Sequence, residues 1–95
     1  MITIVAKMRI KADKTADAEK ALLDMVEYVR ANEPGTLAYA FYKLRDANRY
    51  AVLESFRDEA AEHLHMNSKL LAETGPKISA CLIGTWEREY FDPLE

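Results

Sequence analysis

From Ile2 to Ile10 the chain alternates: Ile2, Ile4, Ala6, Met8 and Ile10 share one parity, and Thr3, Val5, Lys7 and Arg9 share the other. A period of two predicts a strand. The period then lengthens. Ala18, Ala21, Leu22, Met25, Val26 and Val29 recur at helical spacing, with Glu19, Lys20, Asp24, Glu27 and Arg30 opposite them. Asp13 or Thr15 is placed to cap this helix. Asn32-Glu33-Pro34-Gly35 is predicted to end it, because Pro34 disfavours helical geometry at Glu33 and Gly35 supplies the turn.

Two strands are expected next, over 36–44 and 49–56, and the four residues Arg45-Asp46-Ala47-Asn48 between them dictate an antiparallel hairpin. Asp58 is expected to cap a second helix whose register weakens near Asn67-Ser68. A short helical piece over 69–74 is predicted to stop at Gly75-Pro76, and a long last strand to run over 77–90.

The resulting β-α-β-β-α-β order specifies an α+β, ferredoxin-like fold with a four-stranded antiparallel sheet, one domain over residues 1–95. Helices would cover one face of that sheet. The other face is expected to be apolar too: Ile78, Ala80, Leu82 and Trp86 oppose Cys81, Ile83 and Phe91 on the last strand, and Leu37, Tyr39 and Phe41 oppose Ala38, Ala40, Tyr42 and Leu44 on the second. Two helices cannot bury both faces, so the pattern predicts a homodimer packed through its sheet faces.

Composition narrows the function classes. Hydrophobic residues at 49% and charged residues at 31% describe a globular chain, and a net charge of −3 argues against nucleic acid as a partner. Lys7, Arg9 and Lys11 alternate along one strand and are read as a solvated edge. No apolar run reaches the length of a membrane span, no signal peptide is expected, and the single cysteine, Cys81, is read as a buried strand thiol. On these features the chain is expected to be intracellular, in the cytoplasm. Three glycines build no phosphate loop and no dinucleotide fingerprint, there is no GxSxG elbow, and two histidines with one cysteine give no convincing zinc spacing.

The candidate chemistry lies in residues 32–68. Glu54 shares strand parity with Tyr50, Val52 and Phe56, and a carboxylate among apolar neighbours is paired, raised in pKa, or in a pocket wall. An ion pair with a lysine or arginine of a neighbouring strand is the competing explanation. His63 and His65 point about 200° apart on a helix, so only one faces inward. His65 falls four residues after Ala61, on the side that Ala60, Ala61 and Leu64 mark as buried, and can exchange protons near neutral pH; His63 is expected in solvent. Its plainer role is a hydrogen-bonded boundary histidine. Tyr39, Tyr42, Tyr50 and Trp86 can stack on an aromatic ligand, although packing accounts for most aromatics at such positions. Met8, Met25 and Met66 are read as core filling.

The run NEPGTLAYAFY followed by RYAVLESFRDEAAEHLHMNS resembles the antibiotic biosynthesis monooxygenase family of small dimeric α/β barrel proteins. The shared pattern falls on Glu33-Pro34-Gly35, Tyr39, Glu54-Ser55-Phe56, His65 and Ser68. Two positions depart from it: Phe56 stands where tryptophan is frequent, and Lys69 where proline is. Lys7 occupies the position at which haem-degrading relatives carry asparagine, which argues against haem breakdown. The resemblance implies oxidation of a phenolic or quinol-type aromatic molecule by O2 without metal or flavin. It assigns His65 as proton acceptor or hydrogen-bond partner, Glu54 as its orienting group, and Tyr39, Trp86 and Phe56 as substrate-binding walls. Isomerisation of a small carbonyl compound, and non-catalytic binding of a small molecule by the dimer, are the alternatives.

Overall fold

A computed structural model describes residues 1–94. Four strands and three helices follow in the order β1 (Ile2–Ile10), α1 (Thr15–Asn32), β2 (Thr36–Lys43), β3 (Arg49–Phe56), α2 (Glu59–Met66), α3 (Lys69–Ser79) and β4 (Leu82–Phe91), with a 3-10 turn at Ala12–Lys14. The sheet is antiparallel with strand order β2-β3-β1-β4. This is the expected ferredoxin-like α+β arrangement. Asn48 closes the β2–β3 connection with φ 62°, a left-handed conformation that asparagine tolerates.

The helices lie on one face of the sheet. Ile4, Ala6, Met8 and Ile10 of β1 point to that face and are buried, as are Tyr50, Val52, Glu54 and Phe56 of β3. A larger apolar cluster joins Ala6, Met8, Ile10, Tyr39 and Val52 to Ala18, Leu22, Met25, Val26 and Val29 of α1 and Ile78 of α3. A smaller one joins Ile4 and Phe56 to Ala61 of α2. Glu54 interrupts the inner face of β3 between the two.

Several expectations need correcting. Neither Asp13 nor Thr15 caps α1; its N-cap position is Lys14, without a side-chain cap. Lys7 and Arg9 lie on the open face of β1, which is an inner strand and not an edge. α3 does not stop at Gly75-Pro76 but runs through both to Ser79, so residues 77–79 are helix and the last strand starts at Leu82. A proline inside a helix removes one backbone hydrogen bond, to the carbonyl four residues back. Here the last turn is held nonetheless: Ile78 is buried, Ala80 N–H donates to Pro76 O (3.1 Å), and Cys81 N–H donates to Ile78 O (2.8 Å). Tertiary packing overrides the local signal. Cys81 consequently sits in the α3–β4 turn, buried, with its thiol 3.3 Å from Lys77 O. On α2, Ala61 and His65 are buried, whereas Ala60 and Leu64 face outward.

The inner parity of β4 is therefore carried by Leu82 and Trp86, with a register irregularity against β1 at Gly84, whose φ is +77°. On the uncovered face, Ala38 and Ala40, Ala51 and Leu53, and Val5 form an apolar centre, with Lys7, Arg9, Arg49, Glu87 and Glu89 around it.

Candidate active site

His65 is placed by two adjacent caps. Asp58 accepts a hydrogen bond from Ala61 N–H (2.9 Å) and starts α2; Ser68 accepts one from Leu71 N–H (3.1 Å) and starts α3. Each such cap is worth about 1 kcal/mol to its helix. Between them, His65 reaches into the gap between the helices and the sheet and is 1% exposed.

Its ring nitrogens face two carboxylates from different elements. Nδ1 lies 2.8 Å from Glu33 Oε1 in the turn after α1, and Nε2 lies 3.3 Å from Glu54 Oε1 on β3. Both glutamates are 4% exposed. The expected competitor, a lysine or arginine paired with Glu54, is not found among the described residues. Glu33 Oε1 also accepts the Thr36 hydroxyl at 3.0 Å. The second oxygens, Glu33 Oε2 and Glu54 Oε2, are buried without a hydrogen-bond partner. A buried unpaired carboxylate oxygen costs of order 1–3 kcal/mol, so it marks a place where a donor is wanted.

Burial opposes a charge on His65 and is the largest single influence on it. The hydrogen bond that Glu54 accepts, the charge and hydrogen bond of Glu33, and the charge of Glu54 together outweigh it and raise the imidazole above its ordinary pKa. Tyr39 is raised strongly as well, first by burial and then by the charges of Glu54 and Glu33, with Arg88 acting in the opposite sense. Its phenol therefore stays protonated at neutral pH, and its ring packs edge-on against His65, centroids 5.0 Å apart.

His65, Glu54 and Tyr39 border a cavity of about 300 Å³ between the sheet and α3. Tyr39, Glu54, His65 and Trp86 line it with an otherwise apolar wall that includes Phe41, Leu71 and Ile78. Four of the five residues expected at the site thus converge. Phe56 does not: it is fully buried in the smaller cluster, behind His65 with ring centroids 5.3 Å apart, and is absent from the cavity lining. Two contributors escaped the sequence reading. Glu33 was read as part of a turn, although its place beside Pro34-Gly35 in the motif was the available signal. Arg88, which lines the cavity, lies on a strand whose start was misplaced. Among the described residues, no group of three or more His, Cys, Asp or Glu side chains is arranged to hold a metal. Among the described residues, no helix is long and apolar enough to cross a membrane.

The chain is thus a small ferredoxin-like α+β fold with an apolar cavity beside a carboxylate–imidazole–carboxylate cluster. Within it, residues 1–75 match the family model for antibiotic biosynthesis monooxygenase, and the chain belongs to that family. A provisionally assigned antibiotic biosynthesis monooxygenase of Caulobacter crescentus is 30% identical, with a TM-score of 0.94 over 99% of this chain and 90% of that one. A conserved protein of Methanosarcina mazei Go1 is 26% identical (TM-score 0.87, covering 95% and 89%). A further solved antibiotic biosynthesis monooxygenase, 23% identical, shares the fold along both full chains with a TM-score of 0.93. No curated protein matches by sequence.

Proposed function

We propose that this chain is a cofactor-independent monooxygenase that oxidises a phenolic or quinol-type aromatic substrate with O2 in the cavity beneath α3. The observation that carries this reading is Glu54: a buried carboxylate in an apolar cavity wall, one oxygen facing His65 and the other without a donor. A substrate hydroxyl in the cavity meets this carboxylate as its donor. About 300 Å³ is near the lower limit for ligand cavities, which suits a compact aromatic molecule.

The chemistry follows from deprotonation. The Glu54 carboxylate takes the phenolic proton, and His65 with the Tyr39 hydroxyl stabilises the phenolate. An electron passes from the phenolate to O2, and the superoxide and phenoxyl radicals combine at a ring carbon bearing hydrogen. The resulting peroxide anion takes the proton back from Glu54, and the hydroperoxide then loses water, its outer oxygen leaving with the ring hydrogen, to give a quinone carbonyl. One oxygen atom enters the product and the other leaves as water, with all four electrons drawn from the substrate. The protein contributes position, a proton acceptor and an environment from which water is excluded. Trp86 and Tyr39 wall the ring.

The functional unit in this reading is a homodimer joined through the uncovered sheet faces, a dimeric α/β barrel, because the apolar centre at Val5, Ala40 and Leu53 has no helix over it. The one cysteine, buried in a turn, suits a reducing compartment such as the cytoplasm. Oxygen uptake with a series of hydroquinones and hydroxylated naphthalenes tests the activity. Uptake equal to substrate consumed supports it. Turnover without oxygen would favour isomerisation, and binding without turnover a ligand-binding dimer.

A further inference from the structure

The Glu33-Pro34-Gly35 turn contributes no residue to the cavity lining, yet Glu33 contacts His65, which is part of that lining. A neutral imidazole carries one N–H and one lone pair, so it can serve only one of two carboxylates and turns a lone pair on the other. His65 has carboxylate oxygens at both nitrogens, at 2.8 and 3.3 Å. Two protons on the ring resolve the conflict.

The two glutamates are not equivalent. Glu54 borders the apolar cavity, whereas Glu33 lines a separate cleft of about 160 Å³ on the outer side of α2, together with Thr36, Arg57 and Leu64. Glu33 also stands at the C-terminal end of α1, where the helix dipole disfavours a negative charge. Its Oε1 accepts two donors at once, the Thr36 hydroxyl and His65 Nδ1–H. Among the described residues, His65 is the one cationic group within ion-pair distance of it. The same charge is thus what Glu33 needs and what His65 needs.

Gly35 explains how the turn comes so close. It is not in the left-handed region, so no backbone conformation demands glycine there. A Cβ at Gly35 would meet the Ala61 Cβ at 2.7 Å. The missing side chain lets the turn lie against α2 one helical turn before His65.

We infer that Glu33 is a positioning residue that clamps His65 as an imidazolium, leaving Glu54 as the group that accepts the substrate proton. Gly35 sets the clamp by admitting the turn against Ala61. The catalytic consequence rests on the oxidative reading above; the ionisation of His65 does not. The charged or titratable groups around His65 are Glu33 from the turn, Tyr39 from β2, Glu54 from β3 and, across the cavity, Arg88 from β4.

The test is a 15N NMR titration of the imidazole rings in the unliganded protein, with exposed His63 as internal reference. In the wild type, His65 stays doubly protonated above the ordinary histidine midpoint. Glu33→Gln, which keeps an acceptor but removes the charge, weakens proton binding at His65 at least tenfold, and Glu33→Asp recovers part of it. Gly35→Ala does the same while keeping both ion-pair side chains, by pushing the turn away from α2, and adding Ala61→Gly restores the room and the midpoint. If Glu33→Gln fails to fold, the Gly35→Ala and Gly35→Ala/Ala61→Gly pair decides. Midpoints unchanged in Glu33→Gln and in Gly35→Ala would overturn the clamp. On a phenol that the wild type oxidises, the alkaline fall in rate moves to lower pH in Glu33→Gln by the same amount. A protein that oxidises no phenol but shows the titration shifts would refute the oxidative reading and leave the clamp standing.

Discussion

His65 Nδ1 lies 2.8 Å from Glu33 Oε1, across 32 residues of sequence and between two side chains that solvent scarcely reaches. This contact ties the end of α1 to α2 and makes stability depend on pH in a defined sense. The folded-state pKa of His65 is raised above its ordinary value near 6.5. The folded state therefore binds the proton more tightly than the unfolded chain. The contribution is fully present below the unfolded pKa and is lost as pH rises through the folded one. Denaturant unfolding from pH 6 to 9 should show stability declining on the alkaline side, and His65→Gln should flatten that limb.

Removing the charge of Glu54 separates chemistry from binding. Glu54→Gln should lower turnover of a phenolic substrate by about 10²–10⁴-fold, the usual worth of a positioned acid–base group, while an aromatic ligand still binds. Steady-state rates beside calorimetric affinities check this. An unchanged rate would move the base elsewhere.

Gly75 offers a control on the cavity. It lies inside α3 and lines the cavity, and a Cβ added there meets nothing within 4 Å. Gly75→Ala should stabilise the protein by about 1 kcal/mol, from helix propensity alone. Gly75→Leu should keep the fold but occupy the cavity and abolish binding of aromatic ligands. Thermal melts and fluorescence titration of Trp86, the one tryptophan in the chain, report both effects.

The α2 cap gives a purely structural prediction. Asp58→Ala removes the acceptor for Ala61 N–H and should cost about 1 kcal/mol. In a domain of this size that lowers the melting temperature by roughly 4–8 °C. His65 should also lose rigidity, visible as faster exchange of its ring protons.

The uncovered sheet face should hold two copies together. Ala40→Glu or Leu53→Glu would place a charge in its apolar centre, and light scattering should then show monomer where the wild type is dimer. A wild-type monomer would contradict the face-to-face arrangement.

Much of this was legible in the chain because period and punctuation agreed: alternation marked β1, a helical stripe marked α1, and Asp58 marked the start of α2. The reading failed where local and tertiary signals conflict. Gly75-Pro76 is a strong stop, but buried Ile78 and the hydrogen bonds that follow keep α3 helical to Ser79. At the site, Glu54 and His65 stood out as polar residues on apolar faces. Glu33 did not, since a glutamate before Pro-Gly reads as turn chemistry and only the folded backbone brings it to His65. Phe56 shared the inner parity of Glu54, but parity fixes a face and not the depth at which a side chain meets the cavity.

The most direct test is oxygen uptake in an electrode cell with the purified wild type and Glu54→Gln on the same phenolic and hydroquinone substrates. The account predicts one O2 consumed per substrate by the wild type, quinone as product, and a loss of at least 10²-fold in the variant. Substrate conversion without oxygen uptake, or equal uptake by both proteins, would contradict it.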